Sequence, residues 1–318
     1  MALPTQLKNR LKLPLVVSPM FLASGPELVI AACKAGALGT FPALNQRTTE
    51  GFEAWLQEIN AALGPDDAPY GVNIIVHHSN SRVMADVEMC IKYKVPVVIT
   101  SLGIDKRVID AVHSYGGLVF HDIINIRHAN KAAREGVDGI IAVSAGAGGH
   151  GGTMSPLALT AEIRKFFDGC LLLAGCISNG GHIAAARAMG ADLAYAGTRF
   201  IATQEARAQD GYKDMIVESA AADIIYTPNI SGVFANFLRE SIRNAGFDPD
   251  NLAPKTEIDM EEELGLKEPE GTKQKGAWKD IWSAGQGVGA IDDIPSTEEL
   301  IQRMQQEFSD ALAQATDF

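Results

Sequence analysis

Apolar residues in this chain follow two patterns that alternate. One is a short continuous run, rich in Val, Ile and Leu, near residues 15–18, 38–42, 72–76, 95–100, 118–121, 139–143, 171–174 and 193–196. Runs without polar alternation fit strands covered on both faces. The other pattern returns every three to four residues, the spacing of one helix face. It predicts helices over 26–35, 49–63, 81–93, 106–115, 127–135, 157–167 and 182–189. Phe52, Trp55, Leu56, Ile59 and Leu63 share one face of the second helix. Pro26 opens the first and Gly36 closes it, while Asn179 and Gly190 bracket the last.

Strand starts fall 21 to 34 residues apart, the length of a strand plus a helical crossover. Eight such units predict an α/β fold, the TIM (β/α)8 barrel, with an open doubly wound sheet as the alternative. After Phe200 the rhythm stops. Pro, Asn and Gly become frequent from about 211 to 279, and an acidic run occupies 259–263. Ile224, Ile225, Tyr226, Phe234, Phe237, Leu238 and Ile242 still offer core material there. We expect a smaller C-terminal insertion domain, irregular or helical. Pro295 then opens a helical stripe of Leu300, Ile301, Met304, Phe308 and Leu312, read as a helix docking on the barrel. The division is 1–210 barrel, 211–285 insertion or cap, and 286–318 returning segment.

Composition narrows the partners. The chain has 318 residues, 47% of them hydrophobic, with 27 Lys and Arg against 39 Asp and Glu and a net charge of −12. That field repels phosphate backbones and anionic lipid, and no basic stripe overrides it, so neither nucleic acid nor membrane is expected. No apolar run reaches the roughly 18 residues of a membrane span. The first residues lack the apolar core of a secretory signal. Cys33, Cys90, Cys170 and Cys176 form no CxxC and read as free thiols of a cytoplasmic protein. His77, His78, His113 and His128 have no ligand spacing, and no metal site is expected.

The 31 glycines carry the chemistry. Barrel sites lie at the C-terminal ends of the strands, with phosphate after strands seven and eight. Strand seven ends in Ala174-Gly175-Cys176 and strand eight in Gly197-Thr198-Arg199. Glycine there lets backbone N–H groups approach an anion, although tight turns alone also use it. Gly146 to Gly151 matches GxGxxG, but it follows the sixth strand, and strand seven offers no acid for a ribose, so the dinucleotide reading fails. His150, flanked by glycines, is the better feature: an uncrowded imidazole that can act as acid or base. His121, at a strand end, is a second lining candidate.

These stretches resemble a known family. Ala147-Gly148-Gly149-His150-Gly151-Gly152-Thr153, Leu173 to Ile177, Gly190-Ala191-Asp192, Gly197-Thr198-Arg199-Phe200 and Ile281 to Gly287 are similar to nitronate monooxygenases, formerly 2-nitropropane dioxygenases. The same flavin-barrel group includes enoyl-acyl-carrier-protein reductases and NADH:quinone reductases. The resemblance implies FMN at the barrel mouth under a smaller covering domain. It implies Pro19, Met20 and Asn73 at the flavin ring, Gly148 and Gly149 at its border, and Ala174, Gly175, Cys176, Gly197 and Thr198 at the ribityl phosphate. His150 would be the catalytic histidine, and Gln286 would reach the cofactor. The implied reaction converts an alkyl nitronate or nitroalkane with O2 to a carbonyl compound and nitrite. Alternatives are an NAD(P)H-dependent reductase of quinones or enoyl thioesters, or a phosphate-ligand barrel without flavin. Two departures stand out: Cys176 where relatives often carry a second glycine, and Asp122 where some carry Lys. A homodimer is expected only on general frequency.

Overall fold

A computed structural model describes residues 3–255 and 278–315. Eight parallel strands close into a barrel: β1 (Leu15–Val17), β2 (Leu38–Pro42), β3 (Gly71–Ile75), β4 (Val97–Ser101), β5 (Leu118–Ile123), β6 (Gly139–Val143), β8 (Cys170–Ala174) and β9 (Leu193–Ala196). The ring closes where β1 pairs with β9 through Val16 and Tyr195. Each predicted strand is present. The open-sheet alternative is excluded by that closure.

Side chains alternate across each strand, which divides the core in two. Val16, Leu38, Val97, Ile99, Phe120, Ile141 and Leu172 fill the barrel interior. The opposite faces, such as Val17, Val98, Val119, Ile140 and Leu171, pack under the helices. A short helix, α1 (Thr5–Lys8), was not foreseen from sequence. It precedes the first strand and sends Leu7 into the interior cluster, closing the end opposite the site.

The crossover helices are α2 (Pro26–Ala35), α3 (Thr49–Ala62), α4 (Val83–Lys92), α5 (Lys106–His113), α6 (Ile126–Glu135), α7 (Pro156–Ile163) and α8 (Gly180–Ala188). Side-chain caps set several starts: Asp105, Asn125 and Asn179 accept from Arg107 N, His128 N and His182 N. The final stripe forms α12 (Thr297–Ala315), which packs between α8 and α2. Contact with α8 is close enough that a Cβ on Gly180 would strike the Met304 carbonyl oxygen and the Phe308 nitrogen.

The region after β9 departs from the expectation of irregular or helical structure. It holds α9 (Thr198–Ile201), α10 (Asp210–Glu218), a hairpin of β10 (Ile224–Thr227) and β11 (Ala235–Leu238), and α11 (Arg239–Asn244). The hairpin is antiparallel, and β11 also pairs with a two-residue strand, β7 (Gly149–His150). Alternation in so short a hairpin is too brief to read against the surrounding Pro, Asn and Gly. Phe237, Leu238 and Ile242 are buried as expected, whereas Phe234 is 51% exposed. The acidic run 259–263 lies outside the described residues.

Candidate active site at the barrel mouth

A cavity of about 780 Å³ opens at the C-terminal ends of the strands. Pro19 and Met20 reach it from the end of β1, Asn73 from β3, and His121 from β5. Gly148, Gly149 and His150 line it from the loop after β6 and from β7. Ala174, Gly175 and Cys176 do so from β8, and Gly197 and Thr198 from β9. Gln286 stands behind this wall. Its backbone N–H donates to Gly146 O at 2.8 Å, and its neighbours Gly285 and Gly287 line the cavity.

His150 depends on both parts of the chain. Its backbone pairs with Ala235 of β11. Gly149 N donates to Ser283 Oγ at 2.6 Å, Ser283 Oγ donates to Asn236 O, and Asn236 Nδ2 donates to Ala147 O at 2.7 Å. Tyr226 Oη donates to Gly151 O at 2.9 Å. The glycine loop is thus clamped by residues 75 to 134 positions further on. The imidazole edge meets the Trp278 ring at a centroid distance of 5.1 Å. Its Nε2 is buried and has no hydrogen-bond partner among the described residues. Burial pushes the imidazole down to about 4, so it is neutral near pH 7.

The turns after β8 and β9 form a cradle without bulky side chains. Gly175 has φ +126°, and a Cβ there would strike Ser144 Oγ. A Cβ on Gly197 would lie 2.6 Å from Ser18 Oγ. Cys176 has φ +56°, in the left-handed region that favours glycine, which accounts for the glycine often found there in the resembling family. The N-terminus of α8 is already occupied, because Glu307 accepts from Gly180 N and Asn179 from His182 N. Thr198 Oγ1 accepts from Gly285 N at 2.9 Å, tying the cradle to the later segment.

Not all of the matching stretches serve the cavity. Asp192 is buried, accepts from Leu171 N at 2.9 Å and pairs with Arg164. Arg199 is buried and donates to Ala202 O and Asp293. Both fix the barrel rather than touch the site.

A polar rank crosses the mouth on three adjacent strands. Asn73 Nδ2 donates to Ile99 O at 3.2 Å and to Ser101 Oγ at 2.7 Å, and Ser101 Oγ donates to Asp122 Oδ2. Enclosure raises the Asp122 carboxyl to about 6, and Ser101 opposes the shift. His121 points to the other face of β5, where Nδ1 meets Thr100 Oγ1 at 2.8 Å. Burial lowers it to about 4.

The outer mouth is apolar and partly exposed, with Leu102, Ile124 and Phe234 around it. His128 and Lys131, on the first two turns of α6, line the same rim. In the sequence His128 had no ligand spacing to mark it. Ser101, Tyr195, Trp278 and Lys131 were not singled out by the sequence, and Ser283 entered only within the stretch 281–287. The strand-end position of Ser101 was a usable signal, because it closes the run 95–100. Trp278 had none, since no periodicity links it to the barrel.

A closed parallel barrel with glycine turns after β8 and β9 and a buried imidazole at its mouth has the layout of a TIM-barrel enzyme, whose site lies at the C-terminal ends of the strands. The family model "Nitronate monooxygenase" matches residues 78–307, and the chain belongs to that family. It is 26% identical to a nitronate monooxygenase of Paraburkholderia phytofirmans, over 96% of this chain and 94% of the relative. It is also 26% identical to a Rhodococcus jostii (3aS,4S,5R,7aS)-5-hydroxy-7a-methyl-1-oxo-octahydro-1H-indene-4-carboxyl-CoA dehydrogenase, over 91% and 90%. The solved nitroalkane oxidase of Streptomyces ansochromogenes superposes with a TM-score of 0.81 at 25% identity, covering 98% of this chain and all of that one.

Proposed function

We propose that the chain is an FMN-dependent enzyme that denitrifies nitronates and nitroalkanes, with His150 as the base toward the carbon acid. The observation that carries this is the buried, partnerless Nε2 of a neutral imidazole on a residue that lines the cavity. A neutral imidazole brings no positive charge to a preformed anion, but its free nitrogen can take the acidic proton next to a nitro group. Residues present fit FMN: Gly175, Cys176, Gly197 and Thr198 would hold its phosphate in the cradle without bulky side chains. Pro19, Met20 and Asn73 would meet the ring, with Gly148, Gly149 and Ala174 at its border. When bound, the flavin supplies the redox chemistry and the reaction with O2. Trp278 sets the imidazole edge, and the hairpin residues Asn236 and Tyr226 hold the loop that carries it.

In this reading 1–210 is the FMN-binding barrel, 211–285 covers it, and 286–318 returns to it. The enzyme works in the cytoplasm on small molecules and O2. No helix among the described residues is long and apolar enough to cross a membrane. The test is oxygen uptake with stoichiometric nitrite release from an alkyl nitronate or nitroalkane by the purified yellow protein. A colourless protein that takes up no FMN overturns it.

One observation favours a second reading. The apolar mouth of Leu102, Ile124 and Phe234 continues to a polar rim of His128 and the cation Lys131. An acyl-CoA fits that order: an acyl body inside, phosphates outside. The α-carbon of a thioester is also a carbon acid, and a relative of similar identity is a carboxyl-CoA dehydrogenase. Anaerobic mixing with acyl-CoA, nitronate, NADH and NADPH in turn separates the readings by which one bleaches the flavin.

A further inference from the structure

We propose that Asp122 is a positioning residue that acts through Ser101 to fix the direction of the Asn73 amide, so that Asn73 turns its oxygen toward the flavin ring. The inference rests on the FMN reading above and adds a role for two residues which that reading leaves unused.

Hydrogen-bond chemistry fixes the directions. The Asn73 side-chain atom that faces Ile99 O must be the nitrogen, because two carbonyl oxygens cannot bond. That same NH2 group also reaches Ser101 Oγ at 2.7 Å. Ser101 then accepts from Asn73 and has its own proton to place. Its partner is Asp122 Oδ2. Donation thus runs one way, from Asn73 through Ser101 to Asp122. Asn73 Oδ1 is left over, with no partner among the described residues, on a side chain that lines the cavity. An amide oxygen at that place would be free to accept from an N–H of a bound ring. A flipped amide would set its oxygen against Ile99 O.

Asp122 completes the chain because of its strand position. Phe120, two residues earlier, belongs to the barrel interior, so Asp122 shares that face one layer higher. Its neighbours in that layer are Ser101 on β4, Val143 on β6 and Tyr195 on β9, with Asn73 beyond Ser101 on β3. Tyr195 is the titratable group facing it, and the Asp122 charge helps to hold that phenol up. No cation contributes to the Asp122 shift. The carboxyl therefore has Ser101 as its only partner of record among the described residues. Proton loss near pH 6 strengthens its pull on the Ser101 hydroxyl.

FMN dissociation constants, measured by flavin fluorescence on the full chain stripped of cofactor and titrated back, test this. Ser101→Ala and Asp122→Ala should each weaken FMN binding by about tenfold at pH 8, the size expected for one lost charge-assisted hydrogen bond. Ser101→Thr, which keeps the hydroxyl, should bind within about twofold of wild type. In wild type the affinity should rise from pH 5 to pH 8 with a midpoint near 6, and Asp122→Asn should abolish that step. Circular dichroism confirms that each variant is folded. A folded Ser101→Ala or Asp122→Ala that binds FMN like wild type, or an Asp122→Asn that keeps the pH step, overturns the positioning role alone. Wild-type protein that binds no FMN overturns this role and the flavin reading together.

Discussion

A histidine held neutral by burial has one ring nitrogen free to accept a proton. With its imidazole lowered to about 4, His150 stays unprotonated from pH 8 down to pH 5. The kcat/KM for a neutral nitroalkane should be level across that range and fall only as pH approaches 4. His150→Ala should lose about 10²- to 10⁴-fold with the nitroalkane, the usual worth of a positioned base. It should lose far less with the preformed nitronate, where no proton remains to be taken. Steady-state oxygen uptake on both substrates checks this, and equal losses on both would sink the base role. A second residue with a definite expectation is Cys176, held at φ +56°. Replacement by Gly removes left-handed strain of about 1 kcal/mol, so urea unfolding should show unchanged or slightly higher stability. The glycine flanks made His150 legible in the sequence. Nothing there marked Trp278 as its ring partner, 128 positions later.

Elements explain which features the chain announces and which it hides. The barrel strands are buried on both faces and the crossover helices on one, so their patterns are strong and local. Strand pairing is non-local. Ser101 meets Asp122 only because β4 and β5 run in register, with Thr100 opposite His121, and no spacing along the chain encodes that. The β7–β11 pairing is two residues long and joins segments 86 positions apart, below any periodicity. Close element contacts also give sharp expectations. Gly180→Ala forces a Cβ into the backbone of α12 and should destabilise by about 1–3 kcal/mol, as overpacking does. Asp192→Ala leaves Arg164 Nη2 and Leu171 N without their carboxylate acceptor and should cost about 3 kcal/mol. Denaturant midpoints measure both, and the FMN dissociation constant of folded Asp192→Ala should be unchanged.

At the scale of the whole molecule, acid should act through its buried histidines. His121 and His150 are both lowered to about 4 from an ordinary 6.5. The unfolded chain then binds more protons than the folded one between those values, so stability is full above pH 6.5 and is lost as pH falls. Asp122, raised to about 6, works the opposite way and only partly offsets two histidines. His121→Gln should reduce the loss of stability between pH 7 and pH 5 by about 2 kcal/mol, read from urea midpoints at the two pH values; an unchanged loss would count against its neutral burial. Against the net charge of −12, Lys131 at the rim is a local exception. If a phosphorylated thioester is the substrate, its KM should rise with salt, and Lys131→Glu should raise it further without changing nitronate turnover.

The hairpin grip on β7 has a consequence for heredity as much as for chemistry. The histidine is encoded within the barrel, yet its setting is encoded in β11 and Ser283. A chimera that joins this barrel to the cover of a distant relative keeps His150 in its sequence and loses its registration. Recombination between such genes should therefore succeed only when the crossover leaves residues 147–151 and 226–283 from one parent. The site is inherited as a pair of distant segments, and selection acts on them as one unit.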